Sequence, residues 1–100
     1  MKKRSWTVSV KPYPVVRNSR LGIRYKGMLA SFSKNRLFVY YGYGDGDLWI
    51  DVGQEEMRKT PEGYYAEILV SDHDILNLCF HDNNGHWDNN MGNNWRFKLK

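Results

Sequence analysis

Trp87 stands in the stretch "HDNNGHWDNNMGNNW", residues 81 to 95, among Asn83, Asn84, Asn89 and Asn90. An indole offers a flat apolar face, and a carboxamide both donates and accepts hydrogen bonds. A ligand matching that pair has an apolar face rimmed by hydroxyls, which describes a neutral sugar ring. A second set lies in "YYGYGDGDLW", residues 40 to 49, where Tyr40, Tyr43 and Trp49 surround a glycine-rich turn. Glycines there let backbone approach a ligand closely.

Other chemistries fit less well. Asp82 and Asp88 could converge as an acid–base pair, but loop carboxylates commonly cap turns. GxSxG, HExxH and P-loop patterns are absent from the sequence, so the expectation is a protein that is not an enzyme. Counted from Asp82 as an EF-hand loop, the sixth position is Trp87 and the twelfth Asn93, not the required Gly and Glu. The expectation is therefore no metal and no cofactor. The net charge of +4 raises nucleic acid as a partner. Yet much of the excess sits in "MKKR" and "RFKLK", and the polar–aromatic stretch carries Asp82 and Asp88 where phosphates would pass. Nucleic acid is not expected.

The elements that must hold these residues read as strands. "YYAEILV" alternates Tyr64, Ala66, Ile68 and Val70 against Tyr65, Glu67 and Leu69. "NWRFKLK" sets Trp95, Phe97 and Leu99 inward and Arg96, Lys98 and Lys100 outward. "RLFVYY" places Leu37, Val39 and Tyr41 on one face and Phe38 and Tyr40 on the other. "SWTVSV", with Trp6, Val8 and Val10 on one side, "LGIRYKGML" up to Gly27, and "ILNLCF" with Leu76, Leu78 and Phe80 complete the set. The prolines in "KPYPVV" confine it to an edge or a loop. "GQEEMRKT" is the one helix candidate, and it is short. Turn signals recur at "RNSR", "SKN", "GYGDGD", "TPEG", "SDHD" and "DNNG". Short strands at this spacing predict an all-β sandwich or barrel, and 100 residues predict one domain, 1–100.

Cys79 is the single cysteine, so no internal disulfide can form. "MKKRSW" is not followed by the apolar run of a signal peptide, and no run is long enough to span a membrane. The expected location is cytoplasmic, with no membrane partner.

The order "VYYGYGDGDLW", "EEM", "GYYAEILV" and "LNLCFHDNNGHWDNNMGNNW" resembles the starch-binding carbohydrate-binding modules of family 25 and their relatives in starch synthases. The resemblance covers residues 23 to 100, and the closing block is its most specific part. It implies an immunoglobulin-like antiparallel β-sandwich that binds α-1,4-glucan (glycogen, starch or maltooligosaccharides) without catalysis. It implies a platform of Tyr40, Trp49 and Trp87, with Asn89 and Asn90 beside the last. Several members of that family carry His where Tyr40 stands. A glucan-metabolising enzyme is the implied protein partner. The remaining alternatives are a β-sandwich that docks a protein partner and a basic nucleic-acid-binding β domain.

Overall fold

The computed structural model describes residues 3–4, 7–32 and 36–100. The inward reading of Trp6 and the "SKN" turn lie outside the described residues. Strands follow in chain order as β1 (Lys3–Arg4), β2 (Val8–Lys11), β3 (Arg20–Tyr25), β4 (Phe38–Tyr43), β5 (Ile50–Glu56), β6 (Arg58–Thr60), β7 (Gly63–Leu69), β8 (Ile75–His81), β9 (Trp87–Asp88) and β10 (Trp95–Lys98). One short helix, α1 (Met28–Phe32), separates β3 from β4.

Two antiparallel sheets form. The first runs β1-β2-β3-β7-β6 and the second β10-β8-β4-β5, with β9 also paired to β8. The orders β2-β3-β7-β6 and β10-β8-β4-β5 are those of an immunoglobulin-like β-sandwich with one extra strand beside the central pair. Its core is the alternating set predicted from sequence. Val8, Val10, Leu21, Ile23, Ala66 and Ile68 come from the first sheet, and Val39, Leu76, Leu78, Phe80 and Phe97 from the second. Trp95 is only half-buried, packing against this core edge-on to Phe80 at 5.4 Å.

Two segments depart from the sequence reading. "GQEEMRKT" is not helical; it is the end of β5, a crossover and the whole of β6. Met57 is buried at the crossover, where its N–H donates to the Leu37 carbonyl at 2.8 Å. The strand alternation is interrupted at that single residue because the chain changes sheets there, which blurs a period-2 signal. "LGIRYKGML" is a strand only to Tyr25. Beyond Gly27 the chain turns into α1, which buries Leu29 in the core. Five residues are too few to show a helical period.

Candidate functional site

The outer face of the second sheet carries the aromatic residues that the core does not use. Phe38 and Tyr40 point outward from β4. The Tyr40 ring lies 5.8 Å from Trp49 at 25° between planes, and 5.7 Å from Trp87 at 85°. Trp87 stacks on His81 at 4.4 Å and 27°, and His81 stacks on Phe38 at 5.2 Å and 13°. Two stretches of the chain, 38–49 and 81–87, thus build one faceted aromatic surface.

Gly42 explains how Trp49 reaches it. A Cβ at this position would lie 2.7 Å from the Trp49 Cβ and 2.9 Å from Cε3, so the indole lies directly over bare backbone. The register between β4 and β5 shifts beside it, from Tyr41 opposite Gly53 to Tyr43 opposite Ile50. The additional residue is on β5, where Asp51 takes a left-handed φ of 50°. Such a bulge bends an edge strand and re-aims its side chains.

The loop after β8 is fixed by its own polar groups. His81 is buried, and its Nδ1 accepts from the Asn83 N–H at 3.1 Å. A backbone amide can only donate, so Nδ1 carries no proton and Nε2–H donates to Gln54 Oε1 at 2.9 Å. Burial lowers the His81 pKa below the usual imidazole value, although the nearby Asp82 charge acts the other way. Asp82, also buried, accepts from the Asn84 and His86 N–H groups at 2.9 and 3.2 Å and pairs with His86 Nδ1 at 2.7 Å. Asp88 Oδ2 accepts from the buried Tyr25 hydroxyl at 2.5 Å, and its Oδ1 from the Asn90 N–H at 3.2 Å. Burial, then the Asp88 charge, push the Cys79 thiol up to about 11, so it is un-ionised at neutral pH.

A pH dependence follows from His81. Its folded-state pKa is lowered, so the unfolded chain binds the proton more readily below about pH 6.5. The contribution is complete above that value and is lost as pH falls. Thermal melts of the wild type should therefore decline as pH falls below about 6.5, more steeply than those of a His81→Asn variant. Parallel profiles would refute a buried neutral imidazole.

The residues expected at the site do not all reach it. Tyr40, Trp49, Trp87 and Asn89 line one depression of ≈ 310 Å³, together with Asp47, Leu48, Val52, Cys79 and Asn94. Trp87 is 50% exposed, as a ligand platform requires. Tyr43 does not belong. It is fully buried, stacks on His73 at 4.5 Å, and its hydroxyl accepts from the Ser71 N–H at 2.9 Å. It shares parity with Val39 and Tyr41, and β4 runs through Tyr43 rather than turning before it. Asn90 is likewise occupied: its backbone has a left-handed φ of 58°, and its side-chain NH₂ donates to the Asn94 carbonyl at 3.0 Å. It shapes the turn instead of lining the depression. Asn89 keeps its place, its Oδ1 accepting from the Gly92 N–H at 2.9 Å.

The residues of this face that sequence reasoning missed are Gln54, Asn94 and the buried His81. The outward parity of Asn77 and Cys79 in "ILNLCFH" continues to His81 and was the available signal for it. Asp82 and Asp88 are absorbed in turn and core hydrogen bonds, so they do not form a pair poised around a substrate. Among the described residues no group of three or more His, Cys, Asp or Glu is arranged to hold a metal ion. No described helix is long and apolar enough to cross a membrane. What the surface offers chemically is stacking flanked by amide hydrogen-bonding groups and, in the depression beside Trp49, the Asp47 carboxylate as an acceptor. No protein-family model, curated protein or solved structure matches the chain.

Proposed function

We propose that this domain is a non-catalytic module that binds α-1,4-glucan, with glycogen, starch or maltooligosaccharides as ligands. The observation that carries the reading is the faceted convergence of Tyr40, Trp49 and Trp87, with 25° between the first two rings and 85° between Tyr40 and Trp87. A flat, ribbon-like β-1,4-glucan stacks on coplanar rings. An α-1,4-linked chain curves, and a curved chain presents successive sugar faces at different angles, as these rings do. Asn89 and Asn94 beside the rings supply amides that match hydroxyls. The sequence resemblance to family 25 starch-binding modules points the same way. The domain would act in the cytoplasm, beside a glucan-metabolising enzyme.

Titration with maltoheptaose and cellohexaose, followed by tryptophan fluorescence, tests this. Maltoheptaose should quench or shift the emission saturably while cellohexaose does nothing at the same concentrations. An equal response to both would overturn the α-glucan assignment. The response to maltoheptaose should also be insensitive to salt between 50 and 500 mM, whereas binding through phosphate contacts weakens steeply over roughly that range.

A further inference from the structure

A second depression of ≈ 560 Å³ lies on the other side of the Tyr40–Trp87 pair and shares both rings. Its remaining lining is Gln54, His81, Asn83 and Gly85. The two depressions lie in tandem along β4. Trp49, in the first, sits over Gly42. Gln54, in the second, is opposite Tyr40 on β5, and His81 is opposite Phe38 on β8. A chain seated on Trp49 and Trp87 and following the strand direction therefore runs into the second depression.

The lining there is polar and carries no carboxylate, ammonium or guanidinium group. Burial keeps His81 in its neutral form. His81 also holds the Gln54 side chain and the Asn83 backbone. Its Nε2–H donates to the Gln54 Oε1, which turns the Gln54 NH₂ away from the imidazole. Its Nδ1 accepts from the Asn83 N–H, which holds that exposed residue at a left-handed φ of 63°. The Gln54 amide and the Asn83 backbone, both held through one imidazole beside two aromatic rings, form a neutral hydrogen-bonding surface.

We propose that this depression is a further glucosyl subsite, in which Gln54 and Asn83 hydrogen-bond hydroxyls of the chain that Trp49 and Trp87 hold. The assignment rests on the α-glucan reading of the first depression and extends it from a short contact to a longer chain. It predicts dependence on ligand length. Maltotriose fills the aromatic platform alone, and maltoheptaose reaches both depressions.

The experiment is isothermal titration of wild type, Gln54→Ala and Asn83→Gly with maltotriose and maltoheptaose. Glycine at position 83 keeps the left-handed backbone without strain. Wild type should bind maltoheptaose several-fold more tightly than maltotriose. Each variant should keep its maltotriose affinity and lose up to about tenfold for maltoheptaose, the worth of one neutral hydrogen bond. If both variants retain the wild-type ratio of affinities, or wild type does not discriminate by length, the second subsite is wrong and the α-glucan reading stands. If wild type binds neither oligosaccharide, both readings fall.

Discussion

Trp87→Ala is expected to abolish most glucan binding and to leave the fold nearly intact. The indole is 50% exposed, and its strand β9 is held by backbone pairing to Phe80 and His81 that does not involve the ring. Removing it deletes the facet that stands at 85° to Tyr40 and uncovers His81. A central aromatic contact is worth about 2 kcal/mol or more, which lowers affinity roughly thirtyfold. The melting temperature should fall by only a few degrees, because little buried area is lost. Trp95→Ala should do the reverse. Trp95 packs against Phe80 and the core, so its loss costs stability, by less than the roughly 3–5 kcal/mol of a fully buried aromatic because it is only half-buried. It lines neither depression, so binding by the folded variant should persist. Paired melts and maltoheptaose titrations decide between the two roles. Full affinity in Trp87→Ala would place any glucan contact elsewhere on the molecule.

The difference between these two tryptophans was legible because strand parity and loop composition are local signals. Ala66, Ile68 and Val70 in β7 and its continuation, and Phe97 and Leu99 at the end of the chain, are buried at every second residue as their spacing requires. Trp87 among asparagines is exposed for the same reason. What the sequence hid is set by long-range pairing. Tyr43 looked like part of a glycine-rich loop, but β8 extends β4 through it by pairing Tyr43 with Leu76. Asn90 looked interchangeable with Asn89. Only the fold of the turn, with left-handed φ at Asn90, Met91, Gly92 and Asn94, separates an amide that bonds the loop from one that lines the surface. Gln54 is 27 residues from His81, and nothing in either neighbourhood signals that they meet. Met57 marks the same limit, since one buried residue between two exposed strand segments identifies a change of sheet only once the sheets are known.

Asp88→Ala should be among the most destabilising single changes in the domain. Trp87 and Asp88 are successive strand residues, so they point to opposite sides. The indole faces outward, and the carboxylate turns in to the buried Tyr25 hydroxyl at 2.5 Å. That hydroxyl also accepts from the Leu29 N–H at 3.2 Å, and the Tyr25 ring stacks on Phe80 at 4.2 Å. Asp88 Oδ1 meanwhile accepts from the Asn90 N–H and opens the asparagine-rich turn. One carboxylate therefore fastens α1, the core and the platform loop together. Alanine leaves two donors, Tyr25 Oη–H and Asn90 N–H, without their acceptor. Each such loss costs about 1–3 kcal/mol, so a fall of roughly 2–4 kcal/mol and 10–25 °C in melting temperature is expected for a domain of this size. Asp88→Asn should lose less, since a carboxamide oxygen can still accept from one of the two donors, whereas Tyr25→Phe would leave the Leu29 N–H without its acceptor. A melting temperature unchanged in Asp88→Ala would show that this hydrogen bond does not anchor the loop. If the anchor holds, folded Asp88→Ala measured well below its melting temperature should also bind maltoheptaose more weakly than wild type. Its indole remains, but the strand that aims it is no longer tied to the core.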